Sequence, residues 1–366
     1  MLSIEMLPAR HGDCLWVEYG TARERHRLLI DGGPGFAYEQ GLRAKIAALP
    51  ERDRRFELAV CTHIDADHIE GVIRLLGEPA LGCVYREIWY NAWPQISAGM
   101  PDAFGAVQGE YLAALIRKRK LAWNAAFPER DGVRTAAVAK ALDAIELPGG
   151  ARLTLLSPGP DLLAKLAKVW DKELELAGIE PDQPEEALAR LKRDRKFKAH
   201  VSFGLEGPDP KALAAAPFAE DGGAPNGSSI AFLLEAGGRS ALLLGDAHPG
   251  VVVANLDRLL AARGQSRLAV DVVKLPHHGS ENNVNRELVA RVAADHWLYS
   301  SDGTFFDHPD PEAVARVVAG KQDRPNLVFN YRTKRTAIWD DERLQADFKY
   351  RAVYPEPGAA GIRVAS

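Results

Sequence analysis

The sequence predicts an α/β fold made of two halves, with a mainly helical segment between them. In the first 80 residues, short apolar runs that suit β-strands, such as DCLWVEY, RHRLLID and FELAVCTH, alternate with helical spacing over residues 38–49 and 69–76. A second series of strand-like runs begins near residue 229 with SIAFLLEA, RSALLLGD and DVVKLPHHGS. Polar clusters follow several of these runs, and open α/β sheets place their functional sites at strand ends.

The middle of the chain has a different pattern. It contains long amphipathic helical stretches such as DLLAKLAKVWDKELELAG and only one strand candidate, RLTLLS. The stretch PFAEDGGAPNGSS indicates a turn-rich linker. Near the C-terminus, HWLYSS and NLVFNY are further strand candidates, separated by a helix at about residues 311–319. We therefore predict one domain formed by residues 1–80 and 221–366, with 81–220 as a mainly helical insertion within it.

Composition limits the classes of protein that the chain can belong to. Hydrophobic content of 46% and charged content of 26% are typical of a globular protein. The net charge of −4 provides no overall basic field for gathering nucleic acid. Cys14, Cys61 and Cys83 form no CxxC pair, which argues against a disulfide framework and a zinc knuckle. Neither a signal peptide nor a long apolar span is recognisable, so a cytoplasmic location without membrane contact is expected.

The strongest signal for a site is the segment His63-Ile64-Asp65-Ala66-Asp67-His68, directly after the apolar run FELAVCT. Two imidazoles and two carboxylates are ligands that divalent cations prefer. Carboxylates this close together repel one another unless a cation lies between them. The alternative is a helix N-terminus in which Asp65 or Asp67 caps the helix and the histidines are incidental.

Two later strands also end in polar groups. The run LLLGD ends at Asp246, whose two oxygens could bridge two cations, although a strand that ends in Gly-Asp can be only a turn. The run VVKLPHHGS ends at His277 and His278. Adjacent histidines on an extended chain point in opposite directions, so we expect one to bind metal while the other faces substrate or a carboxylate. The residues leave open which of the two is the ligand.

The three strand ends that carry HxDxDH, GD and HHGS resemble the metallo-β-lactamase superfamily, and most closely the metallohydrolase domain of the ComEC/Rec2 competence proteins. Further elements match that family in the same order, over about residues 6–77 and 226–312. They are Gly12-Asp13, Leu28-Leu29-Ile30-Asp31-Gly32-Gly33, Asn226-Gly227-Ser228-Ser229-Ile230 and Asp307-His308-Pro309.

The resemblance implies an αββα sandwich with two divalent metal ions, zinc or manganese. His63 and Asp65 would serve the first ion, Asp67 and His68 the second, and Asp246 with a hydroxide would lie between them. The implied metal ligands, of which only one of the last two is expected to bind, are His63, Asp65, Asp67, His68, Asp246 and His277 or His278.

Other residues take supporting roles in that resemblance. Asp67 and His308 are the implied catalytic residues, His308 as a substrate contact, and Asp31 would fix the tautomer of a ligating imidazole. Asp65 and Asn226 stand where many superfamily members have histidines. The first ion is therefore expected to be one strong ligand short and to tolerate Mn²⁺ alongside Zn²⁺. His11 is equally compatible with the pocket and with the surface.

A two-metal centre of this kind hydrolyses its substrate with metal-bound hydroxide and needs no side-chain nucleophile. The sequence therefore predicts a metal-dependent phosphodiesterase or nuclease, with nucleic acid or a nucleotide as substrate. Basic clusters at residues 117–120 and 190–198 could follow a phosphate backbone, or could be solvated helix faces. The alternatives are a thioester or lactone hydrolase on the same centre, and a catalytically weak metal-binding subunit whose insertion docks a partner protein.

Overall fold

The computed structural model of the chain describes residues 1–96, 107–177, 208–320, 323–357 and 359–365. Its strands are β1 (Leu2–Met6), β2 (Leu15–Gly20), β3 (Arg25–Ile30), β4 (Arg55–Phe56), β5 (Leu58–Val60), β6 (Val84–Tyr85), β7 (Ile88–Trp89), β8 (Glu129–Arg130), β9 (Val133–Arg134), β10 (Ile145–Leu147), β11 (Ala151–Ser157), β12 (Ala231–Ala236), β13 (Arg239–Leu243), β14 (Leu268–Lys274), β15 (Val292–Tyr299), β16 (Asn326–Phe329), β17 (Arg351–Val353) and β18 (Ile362–Ala365).

The α-helices lie between these strands, and several of them are only one turn long. They are α1 (Ala44–Ala47), α2 (Ala66–Leu76), α3 (Trp93–Ile96), α4 (Val107–Lys118), α5 (Pro160–Ala177), α6 (Pro210–Ala215), α7 (Ala224–Gly227), α8 (Pro249–Arg263), α9 (Arg286–Arg291), α10 (Pro311–Val318), α11 (Lys334–Ala337) and α12 (Glu342–Phe348). Within the described ranges, every helix is too short or too polar to cross a lipid bilayer.

Two mixed sheets form the centre of the fold. The first has the strand order β18-β1-β2-β3-β5-β7 and the second has the order β10-β11-β12-β13-β14-β15-β16-β17. In the first sheet, β3 pairs parallel to β5 and β5 to β7. In the second, the strands from β13 to β17 are all parallel. Parallel neighbours bring their carboxyl ends to the same edge of a sheet.

The two sheets pack face to face, and helices cover both outer faces. Leu28 and Ile30 of β3 meet Phe232 of β12 in the apolar layer between the sheets. Leu29, which lies between them in sequence, faces the outer layer instead, where α2 packs. The same alternation puts Leu242 of β13 in the layer beneath α8 and α10. This double burial explains the uninterrupted apolar runs of the sequence, and the layer order confirms the predicted αββα sandwich.

Residues 81–220, predicted as a mainly helical insertion, also contribute to the sandwich. The strand β7 lies at the edge of the first sheet, and β10 and β11 form one side of the second. The sequence indicated only β11, because β7 and β10 are too short to show a periodic pattern. The division of the chain into units stays a prediction. The basic cluster at residues 190–198 lies outside the described residues.

The helix α2, which carries Asp67 and His68, is pinned to the loop after β3 by two glycines. The Gly32 amide donates to the His68 carbonyl at 2.9 Å, and the Gly71 amide donates to the Gly33 carbonyl at 2.9 Å. A Cβ atom at position 71 would overlap the Gly32 carbonyl oxygen. The absence of a side chain at this contact lets the helix lie directly on the loop.

We predict that Gly71→Ala destabilises the protein, although alanine is the better helix former. Alanine normally gains about 1 kcal/mol over glycine inside a helix. Here the added methyl group should force α2 away from the loop and cost about 1–3 kcal/mol in the free energy of unfolding, measured by urea denaturation. Gly222→Ala is the control, because a Cβ at position 222 meets open space. A stabilising effect of Gly71→Ala would contradict the prediction.

Candidate metal centre

The predicted site residues come together where parallel strands from both sheets end. Asp31 follows β3, and the segment 63–68 follows β5, its parallel neighbour. In the second sheet, Asp246 follows β13 and His277 follows β14, which are also parallel neighbours. Four strand ends therefore supply polar side chains to a single edge of the sandwich.

Four histidines direct their Nε2 atoms at one oxygen of Asp246. The distance from Asp246 Oδ2 to Nε2 is 3.3 Å for His68, 3.7 Å for His63, 3.7 Å for His278 and 3.8 Å for His277. The side chain of Asp246 is only 3% exposed. One buried carboxylate therefore lies at the centre of the predicted ligand set.

The remaining donor atoms fall into two groups beside this carboxylate. In one group, Nε2 of His278 lies 3.3 Å from Asp67 Oδ2 and 3.3 Å from His68 Nε2. In the other, Nε2 of His63 lies 3.5 Å from Asp65 Oδ2. Ligand atoms of a tetrahedral ion with bonds of about 2.1 Å lie about 3.4 Å apart, so both groups have the spacing of a coordination shell.

Asp31 orients two of the histidines through their Nδ1 atoms, His68 directly and His63 by way of Thr62. Its Oδ2 accepts hydrogen bonds from His68 Nδ1 at 2.9 Å and Thr62 Oγ1 at 2.8 Å, and its Oδ1 accepts from the Thr62 amide at 2.7 Å. A carboxylate only accepts, so His68 carries a proton on Nδ1 and presents Nε2 to the centre. The Thr62 hydroxyl, having donated to Asp31, accepts from His63 Nδ1 at 3.0 Å.

Ser229 connects the strand ends of the two sheets. Its Oγ lies 3.0 Å from His63 Nδ1 and accepts a hydrogen bond from the Asp246 amide at 3.1 Å. Because the hydroxyl is buried, both partners are held against it without competition from water. Ser229 therefore fixes the position of His63 relative to the central carboxylate.

A buried ion pair holds His278. Its Nδ1 lies 3.0 Å from Asp13 Oδ1, and Lys274 Nζ pairs with Asp13 Oδ2. Burial alone would raise the pKa of Asp13, but the Lys274 ammonium and His278 outweigh it and hold that pKa far below its usual range. The ionised Asp13 accepts from His278 Nδ1, and Nε2 of His278 is left facing Asp67.

His277 and His278 both face the centre, so the expectation that they point in opposite directions is wrong. That expectation assumed an extended chain, whereas the two residues lie in a tight turn with φ angles of 48° and 55°. The left-handed turn brings both rings to the same side. The His277 ring is held from behind, with Nδ1 2.9 Å from Asn283 Oδ1 and 3.6 Å from Asp221 Oδ2.

The carboxylates of the centre stabilise positive charge on the groups between them. Burial lowers the pKa of His68, but Asp246 and Asp67 outweigh it and raise that pKa well above its usual value. Burial likewise opposes a charge on His277, but Asp246 and Asp221 raise its pKa to about 9. This positive charge can come from metal ions or from protons bound to the imidazoles, and the two compete for the same nitrogen atoms.

Unpartnered atoms favour metal ions. Among the described residues, His63 Nε2 and Asp246 Oδ1 are buried without a hydrogen-bond partner. With protons on both Nδ1 atoms, the Nε2 atoms of His68 and His278 face each other at 3.3 Å, and either a proton on one of them or a metal ion between them removes the repulsion of their lone pairs. Asp13, His68, Asp246 and His278 also offer ligand atoms within 4.8 Å of one another, although both Asp13 oxygens are already engaged. The residues fit a divalent metal ion.

The remaining predicted residues lie at the edge of the centre. Asp65 occupies the N-cap position of α2, but in the described chain its side chain makes no capping hydrogen bond, contrary to the capping alternative. Asn226 Nδ2 donates to Asp221 Oδ2 at 2.6 Å and lies 3.4 Å from His277 Nδ1. Asn226 Nδ2 therefore supports His277 on its Nδ1 side, and Asn226 Oδ1 is buried without a hydrogen-bond partner in the part of the chain that the structure describes.

Two further histidines lie above the ligand set. The ring of His308 is 5.0 Å from that of His277 and 6.4 Å from that of His278. His11 is 8% exposed and stacks on Phe305 with ring centroids 4.9 Å apart, which places it in the pocket. Burial lowers the pKa of both His11 and His308, so both are neutral at pH 7.

Apart from Asp31, the sequence did not indicate the residues that bind the Nδ1 side of the ligand histidines. Asp221 falls in the stretch predicted as a turn-rich linker, and Asn283 lies just beyond HHGS, so neither carried a signal. Asp13 and Ser229 fell within matched motifs but received no role. Lys274 did carry a usable signal, since a lysine in a strand that is otherwise apolar indicates a buried charge partner.

Comparison with known proteins finds similarity of structure only. No family model matches the sequence, and no curated protein matches it. Zinc-bound PqqB from Methylobacterium extorquens is similar, with 12% identity, coverage of 100% of both chains and a TM-score of 0.42. The short form of human tRNase Z has 10% identity, coverage of 100% of this chain and 99% of the other, and a TM-score of 0.41. The metallo-β-lactamase fold protein YhfI from Bacillus subtilis has 9% identity, coverage of 100% of both chains and a TM-score of 0.37.

We predict that Asp31→Asn weakens metal binding by about 10–100-fold. An amide can offer only one oxygen to the three donors that converge on Asp31, so the His68 ring loses the carboxylate that fixes its Nδ1 proton and its orientation. Competition with a chromophoric chelator measures the affinity. Glu18→Gln is the matched control, because this buried carboxylate binds Arg27 and no residue of the centre. Equal affinity of Asp31→Asn and wild type would refute the role of Asp31.

Proposed function

We propose that the chain is a metal-dependent hydrolase with a two-ion centre, and that its substrate is a phosphodiester. The observation that carries the proposal is the position of Asp246 Oδ2 within 3.8 Å of four imidazole Nε2 atoms. A carboxylate in that position can serve two cations at once. Two cations suit a phosphodiester, because both non-bridging oxygens of the phosphate can be neutralised.

Each ion has its own set of ligands in this proposal, and Asp246 is shared. The first ion would be held by His63, Asp65 and His277, and the second by Asp67, His68 and His278. The sequence left the first ion one strong ligand short, and His277 supplies it. The support for this division is that His278 Nε2 lies 3.3 Å from both Asp67 Oδ2 and His68 Nε2, which leaves His277 for the first ion. Both adjacent histidines are then ligands.

The chain's own residues prepare the centre for hydrolysis. When bound, the two ions supply an activated water and neutralise charge on the phosphoryl group. Asp31 and Asp13 each accept a hydrogen bond from Nδ1, of His68 and His278 respectively, so that Nε2 is the atom each ring presents to an ion. The neutral ring of His308 lies above the ligands, where it can contact the substrate. Asp67, as a ligand, and His308, as a substrate contact, remain the proposed catalytic residues.

The order of motifs shared with the ComEC/Rec2-type metallohydrolase domain supports a nuclease or nucleotide phosphodiesterase. The choice between zinc and manganese and the cytoplasmic location stay predictions. Two alternatives have distinct outcomes in an activity panel on DNA, RNA, cyclic nucleotides and thioesters. Cleavage of a thioester or lactone without cleavage of any phosphodiester favours a thioester or lactone hydrolase. Full metal occupancy without turnover favours a metal-binding subunit that docks a partner protein through residues 81–220.

We predict that protein expressed with added zinc or manganese carries up to two ions per chain, measured by elemental analysis. Asp65→Ala and Asp67→Ala should each lower the content by about one ion, because each removes a ligand of a different ion. Asp257→Ala, which changes an exposed carboxylate paired with Arg291, is the control. Less than about 0.2 ions per chain in the wild type would sink the two-ion proposal.

We predict that Asp246→Ala lowers the hydrolysis of bis-p-nitrophenyl phosphate to the background rate and removes metal from both positions. One carboxylate serves both ions, so its loss cannot be confined to either. Asp257→Ala should retain the wild-type rate and metal content. If Asp246→Ala retained both, Asp246 would be only a turn residue and the proposal would lose the observation on which it depends.

A further inference from the structure

Aromatic side chains surround the entrance to the metal centre. We call His11, Phe36, Phe305, Phe306 and His308 the aromatic collar. The His11 ring lies 4.9 Å from Phe305, 5.7 Å from Phe36 and 6.2 Å from Phe306, measured between ring centroids. The Phe306 ring lies 6.1 Å from His308. Three separate loops supply these rings, so their convergence results from the tertiary fold.

The collar lies directly beside the ligand histidines. The Phe306 ring centroid is 6.5 Å from that of His277, and the His308 ring is 5.0 Å from the same histidine. A group that is bound to an ion held by His277 would therefore have Phe306 and His308 as its neighbours.

Two collar rings are exposed to solvent. Phe36 is 58% exposed and Phe306 is 47% exposed, and none of the three collar phenylalanines belongs to the apolar clusters between and outside the sheets. A phenylalanine that packs into a core is normally buried, and exposed apolar patches at the rim of a polar cleft are typical of ligand sites. These two rings are therefore accessible to a molecule that approaches the centre.

The loop that carries Phe305 and Phe306 is held in place. The amide of Asp302 donates to the Arg10 carbonyl at 2.9 Å, and the amide of Asp310 donates to the Gly279 carbonyl at 2.9 Å. Between them, Arg335 pairs with Asp307 at 2.6 Å. The exposed Phe306 ring is therefore presented by an anchored loop.

Two arginines beside the collar already have partners of opposite charge. Arg10 pairs with Asp302 at 2.9 Å, and Arg335 pairs with Asp307. These two cations are neutralised locally, so they contribute little attraction for a polyanion. Ring faces, and not charges, are the main contacts that the collar offers to a substrate.

We propose that the collar binds a planar aromatic ring carried by the substrate next to the bond that is cut, as in a nucleotide or an aryl phosphodiester. The inference rests on the proposed function, because the ring is placed relative to a phosphoryl group at the ions. Stacking on phenylalanine is tolerant of ring type, since every base or aryl group has a π-face. The collar therefore selects for an aromatic substituent and not for one base.

The test compares the binding of three phosphonates to the metal-loaded protein by isothermal titration calorimetry. Phenylphosphonate should bind at least about fivefold more tightly than methylphosphonate, the gain expected for one stacked ring. Cyclohexylphosphonate, which is apolar but not planar, should gain less than the phenyl compound. In Phe36→Leu/Phe306→Leu the preference for phenyl over cyclohexyl should disappear. Phe218→Leu is the control, since this exposed phenylalanine contacts Arg316 outside the collar.

The outcomes separate the collar from the proposed function. Equal binding of phenyl- and methylphosphonate, or an unchanged preference in the double variant, overturns the inference while phosphodiester hydrolysis stands. Metal-independent binding of all three compounds with no phosphodiester cleaved overturns the proposed function itself. Adenosine 5′-monophosphate identifies the source of the ring: a loss of its affinity in the double variant supports a nucleotide, and unchanged affinity together with weakened phenylphosphonate binding supports a simple aryl ester.

Discussion

The structure of the centre depends on the buried carboxylate of Asp31. It accepts hydrogen bonds from the amide and hydroxyl of Thr62 and from His68 Nδ1, and through Thr62 it also reaches His63. One group on the neighbouring strand thus fixes the positions of His63 and His68, the first and last residues of the HxDxDH segment. Parallel pairing of β3 and β5 makes this possible, because it ends both strands at the same edge.

The centre also affects the stability of the fold. Asp246 and the four histidines around it lie between the sheets' ends with little access to water, and buried charges are stable only when they are compensated. Ions that bind only the folded chain stabilise it by an amount that grows with the logarithm of their concentration relative to the dissociation constant. Metal binding and folding are therefore linked, and the loop ends that carry the ligands gain most from it.

The sequence predicted the sandwich and most of the centre because those signals are local. Apolar runs such as LLI before Asp31 show strands buried on both faces, and the ligand-like residues follow them within a few positions. Other features depend on contacts distant in sequence. Asp13 meets Lys274 across 261 positions, and Asp221 lies in a loop whose composition resembles any turn. The left-handed turn at His277 was also invisible, because histidine rarely adopts that conformation.

That turn has an evolutionary consequence. Two successive non-glycine residues with positive φ cost the fold about 1–2 kcal/mol each, and glycine at either position would remove the cost. The chain keeps histidine at positions 277 and 278 against its own conformational preference. In any descendant that no longer needed ions, drift toward glycine or asparagine would relieve this backbone cost. The identity of this pair is thus a sensitive record of whether the chemistry is still under selection.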